Sequence, residues 1–514
     1  MAVSAYAAGR TITPIANQNI LFLLPLKFYM NPVAENIKEF FQSFNSTEIK
    51  SFEKLPQSGG DRIYFRIVTD DNSYIATFNE NVKENNAFLN FTYHLKKINA
   101  PLPEIYKLHA NNEMYIQEDF GETSLLNKLE ENGLNDYVYD LFKKSLKSLA
   151  WLQIKGSDGF DYTNCITSKE FGKQAILSDL LYFKYYFLDP LKIAYDKEKL
   201  IDDFEALSNY LTHVPYKFFM FRDFQSRNIF IKNDKVHFID YQGGMRGALQ
   251  YDVASLLWQA KANLPEDWKN SLLNYYIDCV SDILDIPVDR VRFISQYNGY
   301  VLIRLLQVLG AYGFRGLFER KAHFLISIPL ALTNLKWFLN NKSTGIALPE
   351  FESVLQLIVQ QEIIEKFRPV QASASNPLVV KINSFSFLKS GYPKDESEHG
   401  GGFVFDCRGL LNPGRFTEYK SINGRNKAVM DFLEQQTKMP EFLNSVYNIV
   451  DIAVEDYIKR SFSSLTVSFG CTGGQHRSVY AADALARHLR NKYRVVVDLN
   501  HIEQGIHEYK KFEN

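Results

Sequence analysis

The chain has 514 residues, too many for one ordinary domain; at about 100–200 residues per domain, two to four units are expected. Hydrophobic residues make up 46% and charged residues 23%, a globular balance that excludes wholesale disorder. The formal net charge of -1 excludes a chain-wide polyanion binder but leaves room for a local basic patch.

Residues 1–32 are read as a disordered or spurious extension, with Met30 as an alternative start. The apolar run Ile20–Leu26 contains Pro25, is too short to span a bilayer, and has no small-residue cleavage site after it. No other segment is read as approaching membrane length, so no membrane partner is expected. Four cysteines, Cys165, Cys279, Cys407 and Cys471, lie far apart without metal-ligand spacing, which predicts a reducing, cytoplasmic setting.

A helix is predicted over 33–48. Strand-like runs follow at Arg62–Thr69 and Tyr74–Phe78, joined by the turn Asp70-Asp71-Asn72-Ser73. Phe88, Phe91 and Leu95 recur at helical spacing within 82–98, and Ala100-Pro101-Leu102-Pro103 breaks that helix. Strands at Ile105–His109 and Met114–Glu118 complete a small antiparallel sheet with one helix inserted. Residues 124–211 read as helical, 216–250 as loop and strand, and 251–339 and 349–366 as helical again. Strands first and helices later predict an α+β two-lobed domain over 33–345. A helix and linker occupy 346–377, ending in the Ser/Ala/Pro-rich stretch Arg368–Pro377. A smaller α/β domain is predicted over 378–514, in which Pro440 splits the helical stretch Ala428–Lys459 in two.

Residues 217–241 read KFFMFRDFQSRNIFIKNDKVHFIDY. Asp223 is followed five residues later by Asn228, then by a hairpin with a turn at Asn233-Asp234, then by Asp240. Phosphoryl transfer from ATP needs such a set. A carboxylate, Asp223, aligns the attacking hydroxyl, and hard oxygen donors, Asn228 and Asp240, suit Mg²⁺ bridging the phosphates. Upstream, Gly59 and Gly60 precede a strand, where their amides can approach phosphates, with Arg62 beside them. Glu118 ends a strand at the expected hinge, its backbone facing the adenine. The lysine that kinases carry on the strand Tyr74–Phe78 is missing. Its partner on the next helix would be Glu84, a pairing left without purpose by that loss. Phosphate charge then falls to Mg²⁺, to backbone amides, or to Arg62 or Arg66. A nucleotide-binding pseudokinase is the alternative to an active kinase.

With these residues, 45–340 resembles the aminoglycoside phosphotransferase family. Arg222–Asn228, Ile239–Gln242, Arg246-Gly247 and Tyr251-Asp252 are similar to the AmgK-type branch of N-acetylmuramate and N-acetylglucosamine kinases. The resemblance implies a protein-kinase-like fold, ATP and Mg²⁺ as cofactors, and an amino sugar phosphorylated at its anomeric hydroxyl. It also implies that loss of the lysine is tolerated, and that Asp252 braces the catalytic loop.

The second domain contains Phe469-Gly470-Cys471-Thr472-Gly473-Gly474-Gln475-His476-Arg477-Ser478 between a strand and a helix. Loop amides at a helix N-terminus favour an anion. The spacing C-x5-R also fits a phosphatase loop with Cys471 as nucleophile; a plain strand–helix turn is the third reading. Ser384–Phe387, Gly402–Arg408, Asn412-Pro413 and Gly470–Val479 resemble the C-terminal domain of the RNase adapter RapZ, which binds glucosamine-6-phosphate and a small RNA. That resemblance implies a sugar-phosphate site at Asp406, Arg408, Thr472, Gly473, Gly474, His476 and Arg477. For RNA, the chain offers Lys510-Lys511 and the modest run Arg487, Arg490, Lys492 and Arg494.

Overall fold

The computed structural model describes residues 32–55, 62–319, 322–368, 370–372, 378–394 and 402–510. The predicted phosphate-covering Gly59 and Gly60, the extension 1–31 and residues 373–377 of the linker lie outside them.

Five strands form the antiparallel sheet of the small lobe: β1 (Ser51–Lys54), β2 (Ile63–Val68), β3 (Ser73–Phe78), β4 (Ile105–Leu108) and β5 (Met114–Glu118), in the order β1-β2-β3-β5-β4. The two-residue side-chain period sorts each strand onto two faces. Phe65, Ile67, Ala76, Met114 and Ile116 pack against Ile37, Phe40 and Phe41 of the helix Pro32–Gln42. Their alternates Arg62, Tyr64, Arg66, Ile75, Tyr115 and Gln117 face a cleft on the other side. The first helix therefore ends six residues earlier than the 33–48 reading, and the polar tetrapeptide of β1, which has no strand signature, pairs with β2. The helix Val82–Lys96 starts where Asn81 Oδ1 accepts the Glu84 N–H, and buries Phe88, Phe91 and Leu95.

The large lobe is helical. Asp136–Gly156, Lys173–Phe183, Lys197–Thr212, Glu266–Leu284, Arg290–Tyr312 and Ile328–Asn341 surround one core. By packing, the helices Pro349–Ile358 and Gln361–Lys366 share it: Phe351 meets Phe204, and Phe367 approaches Phe187. The helical lobe thus runs on to residue 367. The stretch Arg290–Phe318 is long and apolar enough to cross a membrane, contrary to the expectation for this region. It is the central core helix, with Val301, Leu302, Ile303, Leu306 and Leu309 buried among its neighbours. Two two-stranded antiparallel sheets follow: β6 (Lys217–Met220) with β9 (Met245–Ala248), and, between them in the chain, the hairpin β7 (Ile229–Lys232) with β8 (Lys235–Phe238).

The second domain has the strands β10 (Val379–Ser386), β11 (Gly402–Asp406), β12 (Ser464–Cys471), β13 (Val496–His501) and β14 (Ile506–Lys510), ordered β11-β12-β10-β13-β14. The first four are parallel and β14 is antiparallel to β13. Pro440 stands in the first turn of Met439–Lys459, separating it from Lys427–Gln436 as expected, because proline suits a helix start. The domain touches the small lobe where Lys427 pairs with Glu53 (3.1 Å) and Gln435 Nε2 donates to Lys54 O (3.3 Å). An exposed ion pair of this kind contributes about 0–1 kcal/mol.

Candidate active site

The strand β6 delivers buried Phe219, Met220 and Phe221 and then breaks into a loop, where Arg222 has φ +81°. That left-handed backbone is disfavoured for a branched-out side chain and needs holding. Asp252, 0% exposed, does so: Phe221 N–H donates to its Oδ2 (2.7 Å), Arg222 N–H to its Oδ1 (2.9 Å), and Gln153 Nε2 to its Oδ2 (2.8 Å). The Arg222 guanidinium is fixed by Asp179 (2.8 and 2.9 Å) and by the rings of Phe171 and Tyr251. The next residue, Asp223, is left partly exposed, with Gln225 Nε2 3.4 Å from its Oδ1 and Gly243 opposite its Oδ2.

Burial pushes the Asp252 carboxyl up to about 7, against the lowering effect of its three N–H donors. A carboxyl raised in the folded chain takes up a proton on folding between its ordinary pKa near 4 and 7. Its contribution to stability is therefore full at about pH 4 and is lost as pH rises through 7. Asp252→Asn, which turns an acceptor into a donor facing a backbone N–H, is expected to destabilise the domain by about 1–3 kcal/mol. Its cost should shrink between pH 5 and 7 by about 2 kcal/mol, read from denaturant midpoints at both pH values.

Asn228 joins the loop to the hairpin end. Its Nδ2 donates to Asp223 O (3.0 Å) and to Asp240 Oδ2 (3.1 Å), which leaves Oδ1 as its unused acceptor. Asp240, with φ +68°, also accepts from Gln242 Nε2 at 2.9 Å. Burial, and then the charge of Asp223, raise the Asp240 carboxyl above its ordinary range. The structure thus brings Asp223, Asn228 and Asp240 together. Among the described residues no group of three or more His, Cys, Asp and Glu side chains could hold a metal. One carboxylate and one amide oxygen nevertheless fit Mg²⁺, which keeps several waters and takes its remaining ligands from phosphates.

Above this rim lies a cleft of about 200 Å³, lined by Arg62, Tyr115, Glu118, Phe230, Ile239 and Asp240 among others. Arg62 is 5% exposed; its Nη2 donates to Glu84 O (3.1 Å), its Nε lies 3.4 Å from Glu84 Oε1, and its guanidinium lies over Phe88. Glu84 therefore does have a cationic partner, supplied by the residue just before β2 instead of from β3. The reading that left Glu84 without one missed that a strand's side chains alternate. Arg62 is on the cleft-facing series, and a position can be filled from the neighbouring strand. Arg66 is not available to phosphate: it is held by Asp119 (2.7 and 3.2 Å), Glu122 and Gly121 O (2.8 Å). Glu118 lines the cleft, but its N–H donates to Glu104 O (2.9 Å), and Asp119 O accepts from Lys232 Nζ (2.9 Å). The Glu118 N–H is therefore engaged within the sheet edge and does not face the cleft unpaired.

In the second domain the loop after β12 lies at the carboxyl end of the parallel strands, where ligands commonly bind. Gly474 has φ +65°, and a Cβ there would meet Glu503, so glycine is required. Thr472 and Gly473 are exposed at the loop tip. Arg477, 3% exposed, donates from Nη1 to Arg408 O (3.1 Å) and Leu410 O (2.8 Å); His476 Nε2 contacts Tyr419 O (2.8 Å). Both hold the loop as it stands. Asp406 and Arg408 pair with each other (2.7–3.0 Å), Arg408 lying over Phe387 at 4.0 Å. Cys471 is 2% exposed, and its Sγ contacts Ser478 Oγ at 3.1 Å. With the cysteine sealed, the phosphatase reading has no accessible nucleophile. The basic run does not form one surface either: Lys492 is buried against Asp451 at 2.7 Å.

Comparison with known proteins agrees with this division. Residues 52–283 match the family model described as phosphotransferase enzyme family, and 378–504 match that of the RapZ C-terminal domain. A nucleotide-binding protein of Fervidobacterium nodosum is 35% identical over 137 residues, covering 26% of this chain and 46% of the relative. One of Dechloromonas aromatica is 38% identical over 128 residues, 25% of this chain and 43% of the relative. The chain spans less than half the length of these curated relatives. Among solved structures, choline kinase LicA from Streptococcus pneumoniae is 14% identical, covering 60% of this chain and 99% of that one (TM-score 0.42). Amicoumacin kinase hAmiN is 9% identical, covering 62% and 96% (TM-score 0.44).

Proposed function

We propose that this chain, a phosphotransferase-family domain followed by a RapZ C-terminal domain, is an ATP-dependent kinase of a small amino sugar. N-acetylglucosamine and N-acetylmuramate are the acceptors the sequence resemblance favours. The observation that carries the reading is the single rim of Asp223, Asn228 and Asp240 under a cleft that also holds the Arg62–Glu84 pair. A pseudokinase would have no need to keep all of these together.

In this reading Asp223 accepts the proton of the attacking hydroxyl and aligns its oxygen with the γ-phosphorus. Asn228 Oδ1 and Asp240 would hold Mg²⁺, which when bound neutralises charge on the phosphates. Arg62, oriented by Glu84, donates to the phosphate oxygens in place of the absent lysine. Phe230 and Ile239 flank the adenine and exclude water. In the second domain, the exposed amides of Thr472 and Gly473, with Gly474 and the nearby Asp406 and Arg408, take a sugar phosphate, while His476 and Arg477 hold the loop around it. The four free, buried cysteines support a reducing, cytoplasmic setting.

The test is direct. The full chain, ATP and Mg²⁺ are incubated with a panel of N-acetylated hexosamines, and phosphorylated sugar is measured by mass spectrometry. Sugar phosphate from at least one acceptor is expected. No product from any sugar by a chain that still binds ATP overturns the reading and leaves a nucleotide-binding regulator.

A further inference from the structure

One polar side chain that lines the cleft is left without a partner. Gln117 stands on β5 one residue before the strand ends, with Ile75 beside it on β3, and is 8% exposed. Its Oε1 is closed off from solvent and accepts no hydrogen bond. Its Nε2 is not closed off and, among the described residues, donates to nothing. The amide therefore presents its N–H donors to the cleft.

The polar side chains around it are engaged. Glu118 meets Lys232 at 3.5 Å, and Asp119 is held by Arg66 (2.7 Å) and by the Gly121 N–H (2.9 Å). Arg62 is turned to Glu84, and Gln242 Nε2 donates to Asp240 (2.9 Å). Where β5 leaves the small lobe, the uncommitted side-chain donor is thus that of Gln117.

What this donor meets follows from the walls. Ile75 belongs to the small-lobe sheet, whereas Phe230 lies on β7 and Ile239 directly after β8. A flat base fits between apolar walls of this kind, and a few polar groups at the edge fix its orientation. The ribose leaves a purine from N9 and leads to the phosphates at the rim, so the edge furthest from the rim carries the six-substituent. Guanine carries there an acceptor, O6, and adenine a donor, N6–H₂. An amide N–H matches O6 directly, and it still finds a ring-nitrogen acceptor beside the adenine amine.

We propose that Gln117 is a specificity-determining residue for the nucleobase, donating from Nε2 to O6 of a 6-oxopurine, so that GTP serves as phosphoryl donor alongside ATP. The proposal rests on the reading of this cleft as the nucleotide site of a kinase. The transfer is the one already described. The bond from the γ-phosphorus to the bridging oxygen breaks, the bond from the acceptor oxygen forms, the hydroxyl proton passes to Asp223, and GDP leaves. An apolar side chain at position 117 would leave O6 buried without a donor, which is costly.

The probes are ATP, GTP and ITP, titrated with Mg²⁺ onto the full chain by calorimetry. GTP and ITP are expected to bind within about tenfold of ATP, ITP because it has O6 without the 2-amino group. Q117E sets a carboxylate against O6 and should weaken both relative to ATP by roughly 100-fold. Q117L removes the donor without adding a charge and should weaken them relative to ATP by about tenfold. Thermal melting checks that each variant folds; if one does not, the other decides. A wild type that binds GTP more than about tenfold below ATP overturns the proposal, as does equal weakening of all three nucleotides in the variants. Loss of ITP alone would show that the 2-amino group is read instead, and overturns it too. Turnover separates this from failure of the kinase reading. Nucleotides bound in the expected ratios without any phosphorylated sugar refute the kinase and leave Gln117 as the reader of the base. An active enzyme whose ratios ignore position 117 refutes the role of Gln117 alone, and a wild type that binds no nucleotide refutes both.

Discussion

Asp223→Asn is expected to lower turnover of ATP with an accepted amino sugar by roughly 10³-fold, while ATP affinity stays within about threefold. Asparagine keeps the size of the side chain and its contact with Gln225, but cannot accept the hydroxyl proton. The loop itself should survive, because its left-handed turn at Arg222 is held by Asp252 and Asp179 and not by Asp223. The measurement is kcat beside an equilibrium ATP titration. Full turnover in the variant would sink the assignment of the base. A parallel loss of ATP binding would instead point to a metal-organising role, since the charge of Asp223 raises the neighbouring Asp240.

The second large effect concerns Arg62. Arg62→Met keeps an apolar stem over Phe88 but removes the cation, and should lower kcat/KM for ATP by roughly 10²- to 10³-fold. Arg62→Lys should restore part of it, since a lysine ammonium can still meet phosphate as a point charge. Glu84→Gln should cost less than either loss of charge, because Glu84 orients the cation and does not touch the nucleotide. An Arg62→Met enzyme with unchanged kcat/KM would show that backbone amides and Mg²⁺ alone meet the phosphate charge. The buried position of Arg62 argues for a single, fixed role: a guanidinium held at Nη2 by Glu84 O has little freedom left.

Much of this was legible in the chain. The order of strands before helices, the hairpin turn before Ser73, and the Pro440 break all follow from local preferences, and the structure has them. Asp223, Asn228 and Asp240 were readable for the same reason: they lie within one loop and one hairpin, so sequence spacing approximates distance. The expectation failed where residues distant in sequence meet. Glu84 looked orphaned because its partner was sought on β3, and Arg62 reaches it only through the sheet's alternation. Arg66 looked available because Asp119 and Glu122 are 53 and 56 residues away.

The sequence by itself determined the two-domain order, the loop–hairpin carrying the phosphoryl-transfer groups, and the glycine-rich turn before Arg477. Each is encoded by short-range steric and hydrogen-bonding preferences that act within a few residues. Only the tertiary structure decided which charges are available. Cys471 is sealed, Arg66 and Lys492 are held by carboxylates, and Arg477 Nη1 faces carbonyls. The physical reason is that availability depends on desolvation and partner geometry. Packing sets both, from elements dozens of residues apart, and no local pattern records them.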